Sequence, residues 1–328
     1  MSIIKSENII SNPEISIVVC AYNRKNYIGQ CLDSILAQKR DFPIEIIVGD
    51  DGSTDGTRDL LLEYQQKYSD IFVLLFQEKN LGLGGNWAST VKLARGKYIA
   101  YCDDDDYWHN EYKLCKQKEV LDNHLEIGLV HTDYRTIDEQ GQITEKQIKN
   151  IEDDDLIQLF FRGKYVCIIC TVLFRKQLLD KYVNLDDYIT FMFPIQDWST
   201  YILLAKHTTF YHLSESTFTC RIFEGTMSRP TSYEKLSVKY AKEKIMYKYL
   251  CDKFPDDLPF DEKGWDIYVN NLLLSLAYKK HDFKSAKKFS EVYFNLTNGG
   301  KSLRAKCAES RILFFLFILA KKFSKCFQ

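Results

Sequence analysis

Four short apolar runs, Ile15–Cys20, Ile44–Val48, Ile71–Phe76 and Tyr98–Cys102, constrain the fold more than anything else in this chain. Continuous apolar runs of this length read as strands buried on both faces. Between them the apolar positions take helical spacing. Tyr27, Ile28, Cys31, Leu32, Ile35 and Leu36 follow the first run, and Leu60, Leu61 and Tyr64 follow the second. A further helix over about Trp87–Ala94 follows the third. Strands and helices alternating in this way predict a mostly parallel, doubly wound α/β sheet. Ligands bind such sheets outside the carboxyl ends of the strands. The polar clusters fall at those ends: Tyr22-Asn23-Arg24, Asp50-Asp51 and Asp103–Asp106. The fold rule therefore brings all three to one edge.

The four aspartates are the most unusual of these clusters. Adjacent carboxylates repel one another and have poor strand propensity. On an exposed loop such a run is usually solvated charge. Here it lies between a core strand and the aromatics Tyr107 and Trp108. That setting favours a site for a hard divalent cation, which takes oxygen ligands and bridges to phosphates.

Further along, a helix is expected over about Tyr112–Asn123, a strand at Ile127–Val130 and a hairpin-like turn at Gly141. Glu152–Asp155 reads as a solvated helix start, and Val166–Phe174 as strand-rich. Asp197 stands in an aromatic setting directly before a helix, the position of an N-cap. Two strand-like segments follow, Thr208–His212 and Thr217–Phe223. From Tyr233 onward the pattern changes to long helices, Tyr233–Phe254, Gly264–Lys280 and Phe283–Asn295. The expected division is a domain over 1–230 and a helical region over 231–328.

Charge supports that division. The whole chain carries −1, but residues 301–328 hold seven lysines and arginines against Glu309, a net +6, leaving −7 on the rest. This gives no nucleic-acid footprint. The basic end carries ILFFLFILA, Ile312–Ala320, apolar all round but too short to span a bilayer, which takes about 20 residues. Its basic flanks and apolar body suit either a docked helix or a peripheral membrane contact through 301–328. The ten cysteines are scattered. Cys167 and Cys170 share a CxxC spacing inside an apolar run with no second pair, which favours buried reduced thiols. No long apolar leader follows Met1, so a reducing, cytoplasmic setting is expected, on the cytoplasmic face of a membrane if the terminal segment binds one.

Taken together and in order, SIVVCAYNRKNYIGQCLDSILAQ, IEIIVGDDGSTDGT, NLGLGGN…ARGKYIAYCDDDDYW and QDW resemble the family 2 glycosyltransferases of the GT-A fold. The resemblance covers roughly residues 14–228. It implies a Rossmann-like, mostly parallel sheet flanked by helices, here with an all-helical C-terminal extension. It also implies inverting transfer of a sugar from a nucleotide-diphosphate donor, UDP- or dTDP-linked, with Mg²⁺ or Mn²⁺. The acceptor would be a glycan or lipid-linked hydroxyl in surface-polysaccharide assembly. Apart from the resemblance, the basic tail and ILFFLFILA suggest that the helical region serves membrane docking and homo-oligomerisation.

Carried over to this sequence, the resemblance gives Tyr22 a packing role on the donor's base. Asp51 would accept a hydrogen bond from that base, and Asn23 and Arg24 join them in the donor site. Asp103-Asp104-Asp105 covers the DxD motif, with Asp105 as metal ligand and Asp103 or Asp104 on the ribose. Asp197 resembles the catalytic base, with Gln196 where a glutamate is usual. Arg221 and Ser228 resemble a stretch that folds over the diphosphate, with Phe223 where many members carry histidine. Two other enzyme classes and one binder compete. Gly82-x-Gly84-x-x-Trp87 approaches a dinucleotide fingerprint but lacks its third glycine and follows the wrong strand. A sugar-1-phosphate nucleotidyltransferase needs a glycine-rich basic loop after the first strand, which AYNRKNY is not. A non-catalytic nucleotide-sugar-binding protein would release no product.

Overall fold

The computed structural model describes residues 1–148, 167–223, 231–256 and 260–326. It divides into two compact units, Met1–Phe223 and Glu224–Gln328. The first unit begins with β1 (Ser2–Lys5), β2 (Ile15–Ala21), α1 (Ile28–Leu36), β3 (Ile44–Asp50) and α2 (Thr57–Lys67). Next come β4 (Phe72–Phe76), α3 (Gly82–Val91), β5 (Tyr98–Asp103), β6 (Tyr107–Trp108), α4 (Lys113–Asn123), β7 (Ile127–Ile137) and β8 (Ile143–Lys146). It ends with β9 (Leu173–Arg175), α5 (Lys176–Tyr182), α6 (Leu185–Thr190), α7 (Asp197–Ala205) and β10 (Thr209–Arg221).

Among the described residues these strands form one sheet in the order β1-β4-β3-β2-β5-β9-β7-β10-β6, with β8 paired to β7. The expected strands β4, β3, β2 and β5 lie side by side and parallel. Every residue of β2, β3 and β4 is buried, as their unbroken apolar pattern requires. Each large aliphatic side chain so buried contributes roughly 1.5–3 kcal/mol. Register does the functional work. Cys20 pairs with Asp103 and Ala21 with Asp50, so the strands end level and deliver their polar clusters together.

Close approach of helix to sheet explains the glycines near α3. A Cβ on Gly49 would lie 1.9 Å from Thr90 Oγ1, and one on Gly84 would lie 2.2 Å from the Phe193 carbonyl oxygen. Gly84 therefore lets α3 touch the segment that leads into Asp197.

Several expectations need correction. The segments Thr208–His212 and Thr217–Phe223 are one strand, β10, whose pairing with β7 shifts register between Leu213 and Ser216 and again before Phe218. Irregularities of this kind break the alternation that marks a strand in sequence. The described part of Val166–Phe174 contains a 3₁₀ turn, Ile169–Thr171, and only the start of the three-residue β9. α3 begins at Gly82, five residues before the expected start. Asp197 is the first residue of α7, and Gln196 occupies the N-cap position. Gly141, at φ 80°, turns β7 into β8 as expected. Glu152–Asp155 and Ser228 lie outside the described residues.

The second unit consists of α8 (Tyr233–Lys253), α9 (Glu262–Lys279), α10 (Phe283–Thr297), α11 (Leu303–Cys307) and α12 (Arg311–Cys326). Side chains of Ser232, Asp261, Asp282 and Ser302 cap the first four by accepting backbone N–H groups, the usual chemistry of helix starts. Phe314 of α12 is fully buried against Tyr278 and Phe283, and Phe317 and Ile318 pack on the same core. The terminal helix thus has an inward face. Ile312, Leu313, Phe315 and Leu316 remain exposed. No described helix is long and apolar enough to cross a membrane.

Candidate active site

Asp51 follows β3 and binds back onto the fold. Its two carboxylate oxygens accept the Leu81 and Gly82 N–H groups at 2.7 and 2.9 Å. These are the free amides at the start of α3, where a negative charge is stabilised. The glycine-rich turn that approached a dinucleotide fingerprint therefore has its anion site filled by a protein carboxylate. Burial raises Asp51 to about 6, although both amides pull the other way.

After β2 the chain turns through Asn23, a non-glycine residue at φ 53°. Asparagine tolerates this region because its side chain bonds locally. Here Asn23 Oδ1 accepts Thr54 N–H at 2.8 Å, and Asn23 N–H donates to Ser53 Oγ at 2.9 Å. Tyr22 is left 47 % exposed, an aromatic face open at the strand end. Its N–H donates to Asp104 at 2.9 Å. Arg24 Nε lies 3.1 Å from Asp105 Oδ2 and 3.7 Å from Asp104 Oδ1.

The aspartate run resolves into four different environments. Asp103 turns inward, where Tyr101 O–H donates to Oδ1 at 2.9 Å and Cys170 Sγ donates to Oδ2 at 3.2 Å. Burial, then the Asp105 charge, raises Asp103 to about 6, and the Asp197 charge adds to the shift. Asp104 is pushed up by burial and by Asp105. Asp106 is buried and pushed up by burial and by Asp103, while accepting Arg221 N–H at 2.7 Å. Arg221 also donates from its guanidinium to the Asp105 carbonyl at 2.6 Å and lies over the rings of Tyr27 and Tyr107. Asp197 accepts Trp198 N–H at 2.7 Å, and burial raises it.

Buried like-charged carboxylates whose ionisation is suppressed form a site that a cation would relieve. The donor set fits a divalent ion. Ligand atoms of Asp103, Asp106 and Cys170 lie within 4.8 Å of one another, and Asp105 is a neighbour in the run. Carboxylate oxygens suit Mg²⁺ and Mn²⁺, and a thiol adds a softer contact. The candidate ligand Asp105 stands outside that close group, engaged with Arg24.

All the sequence-derived candidates that lie within the described residues belong to the first unit. Asp104, Asp105 and Asp106 are joined by hydrogen bonds or ion pairs to Tyr22, Arg24 and Arg221, and the Asp197 charge acts on Asp103. Sequence reasoning missed Cys170, Tyr101 and the separate role of Asp106. Cys167 and Cys170 are both buried free thiols, and nothing in VCIIC marks Cys170 as the neighbour of a carboxylate 67 positions earlier. Tyr101 was hidden by its place in a core strand.

The mostly parallel sheet with its carboxylate-rich carboxyl edge is an α/β fold of the GT-A type. The chain matches the glycosyl transferase family 2 profile over residues 16–183, just over half its length, and belongs to that family. It is 39 % identical over 127 residues to an uncharacterized protein of Mycobacterium tuberculosis, covering 39 % of this chain and 37 % of that one. It is 28 % identical over 220 residues to the putative teichuronic acid biosynthesis glycosyltransferase TuaG of Bacillus subtilis, covering 66 % of this chain and 82 % of TuaG. Among solved structures, S. aureus TarS 1–349 in complex with UDP-GlcNAc superposes with a TM-score of 0.55 at 18 % identity, covering 92 % and 88 % of the two chains. That likeness is one of fold.

Proposed function

We propose that this protein transfers a sugar, with inversion, from a UDP- or dTDP-linked donor to an acceptor hydroxyl in the assembly of a cell-surface polysaccharide. The observation that carries the reading is the meeting of Tyr22, Arg24, Asp103–Asp106, Arg221 and Asp197 at one sheet edge. Family membership and the UDP-GlcNAc complex of TarS support it.

In this reading Tyr22 packs on the base and Asp51 accepts a hydrogen bond from it, while Asn23 holds the turn between them. Asp103 or Asp104 meets the ribose. Asp105 would hold Mg²⁺ or Mn²⁺, which supplies Lewis-acid stabilisation of the leaving diphosphate. Arg221 adds positive charge on the same side. Asp197 takes the proton from the acceptor hydroxyl as that oxygen attacks the anomeric carbon. Burial raises its proton affinity, the direction a general base needs. One displacement needs one base and no covalent nucleophile.

The acceptor is a glycan or lipid-linked hydroxyl, reached from the cytoplasmic face of a membrane. The exposed Ile312, Leu313 and Leu316 beside Arg304, Lys306 and Arg311 support docking at an anionic surface. Deleting 301–328 should abolish binding to anionic liposomes, and unchanged binding would remove the docking role. The function itself is tested by a thermal-shift and product screen of nucleotide sugars with and without Mn²⁺, on wild type and Asp105→Ala. Metal-dependent stabilisation with nucleoside diphosphate release, both lost in the variant, is expected. Pyrophosphate formation from a nucleoside triphosphate and a sugar phosphate would make the protein a nucleotidyltransferase. Donor binding without any product would make it a binding protein.

A further inference from the structure

We propose that Arg24 is a resident counter-cation of the aspartate run, which a divalent ion must displace from Asp105. The inference rests on the reading that Asp105 holds the metal. The Arg24 guanidinium reaches two carboxylates at once, Asp105 at 3.1 Å and Asp104 at 3.7 Å. It is aimed there by its backbone. Asn23 is held in the left-handed region by Thr54 and Ser53, and Arg24 N–H donates to Thr57 Oγ1 at 3.0 Å. The β3–α2 loop and Thr57, the first residue of α2, thus fix the base of the side chain, and the guanidinium also donates to the Asn23 carbonyl at 3.3 Å.

Arg221 cannot do the same work. Its guanidinium donates to the Asp105 backbone carbonyl and lies over Tyr27 and Tyr107, so it does not pair with the Asp105 carboxylate. Arg24 is the guanidinium paired with this carboxylate, at its Oδ2. Two cations on one carboxylate oxygen repel each other at this range. When the ion binds, Arg24 leaves Asp105 and its planar fork becomes available to a phosphate, the group it matches best. Arg24 therefore sets metal affinity in the empty protein and moves to the donor's diphosphate in the loaded one.

The test is Mn²⁺ binding to the full chain without nucleotide, followed by the electron paramagnetic resonance signal of free Mn²⁺. Arg24→Met should bind Mn²⁺ at least about tenfold more tightly than wild type, because a competing charge is gone. Arg24→Gln, which keeps hydrogen bonding without charge, should do the same and covers the case in which the methionine variant misfolds. Asp105→Asn added to either variant should erase the gain. UDP should bind both Arg24 variants more weakly, by about tenfold, having lost a charge-assisted contact. Wild-type Mn²⁺ binding that needs Asp105 but is unchanged by both Arg24 substitutions would overturn the proposal and leave the metal reading standing. No Mn²⁺ binding to folded wild type or variants would overturn both.

Discussion

The two halves of the sheet handle their carboxylates differently. In the parallel half, β4-β3-β2-β5, the acids bind the protein itself. Asp50 pairs with Arg58 at 2.6 Å, and Asp51 holds the start of α3. In the mixed half, beyond β5, Asp106 meets Arg221 from β10 and Asp197 opens α7 with burial as its dominant influence. The first arrangement fixes the loops at the strand ends, and the second leaves a buried carboxylate with raised proton affinity. In the proposed reading this is a division of labour: the parallel half carries most of the donor contacts, joined by Arg221 of β10, and proton transfer falls to Asp197 in the mixed half.

The sharpest way to break that division is Asp197→Asn. Transfer should fall by about 10²–10⁴-fold in steady-state assays while donor affinity holds. Next comes Asp51→Ala, which also leaves the Leu81 and Gly82 amides without their acceptor. Donor affinity should weaken by about ten- to a hundredfold in calorimetry, from lost hydrogen bonds to a charged group. Gly84→Ala joins the two halves, since its methyl would strike the Phe193 carbonyl. A loss of about 1–3 kcal/mol in denaturant unfolding is expected, with the rate of transfer reduced more than donor binding.

The smallest effect is in pH. Asp51 accepts hydrogen bonds as a carboxylate, so donor affinity should decline as pH falls through about 6, by about twofold at that midpoint. Stability moves the other way. A carboxyl whose folded value is raised favours folding when protonated, and that contribution is lost as pH rises through about 6. Donor titrations and melting curves across pH 5–7.5 check both signs. The acid limb of the transfer rate should lie above the ordinary carboxylate range, because burial raises Asp197.

The parallel half was readable in sequence because its strands are unbroken apolar runs joined by local crossovers. Ile15, Ile44 and Tyr98 pair across β2, β3 and β5 as their patterns suggest. The mixed half was not. β9 has three residues, β6 has two, and β10 changes register three times within its pairing with β7. Such pairings are set by distant partners, and no periodicity announces them. The same holds for the site. The aspartate run declared its edge, but its internal division depends on Tyr101 and Cys170 turning Asp103 inward. In the helical unit, ILFFLFILA read as uniform, and only the packing of Phe314 on Tyr278 gave it two faces.

The division of labour is tested most directly by titrating UDP into Asp197→Asn and Asp51→Ala beside wild type, with nucleotide release from the UDP-sugar measured on the same samples. The account predicts wild-type UDP affinity and collapsed release for Asp197→Asn, and weakened affinity for Asp51→Ala. An equal loss of UDP affinity in both variants would contradict it, because the two halves would then form a single binding surface.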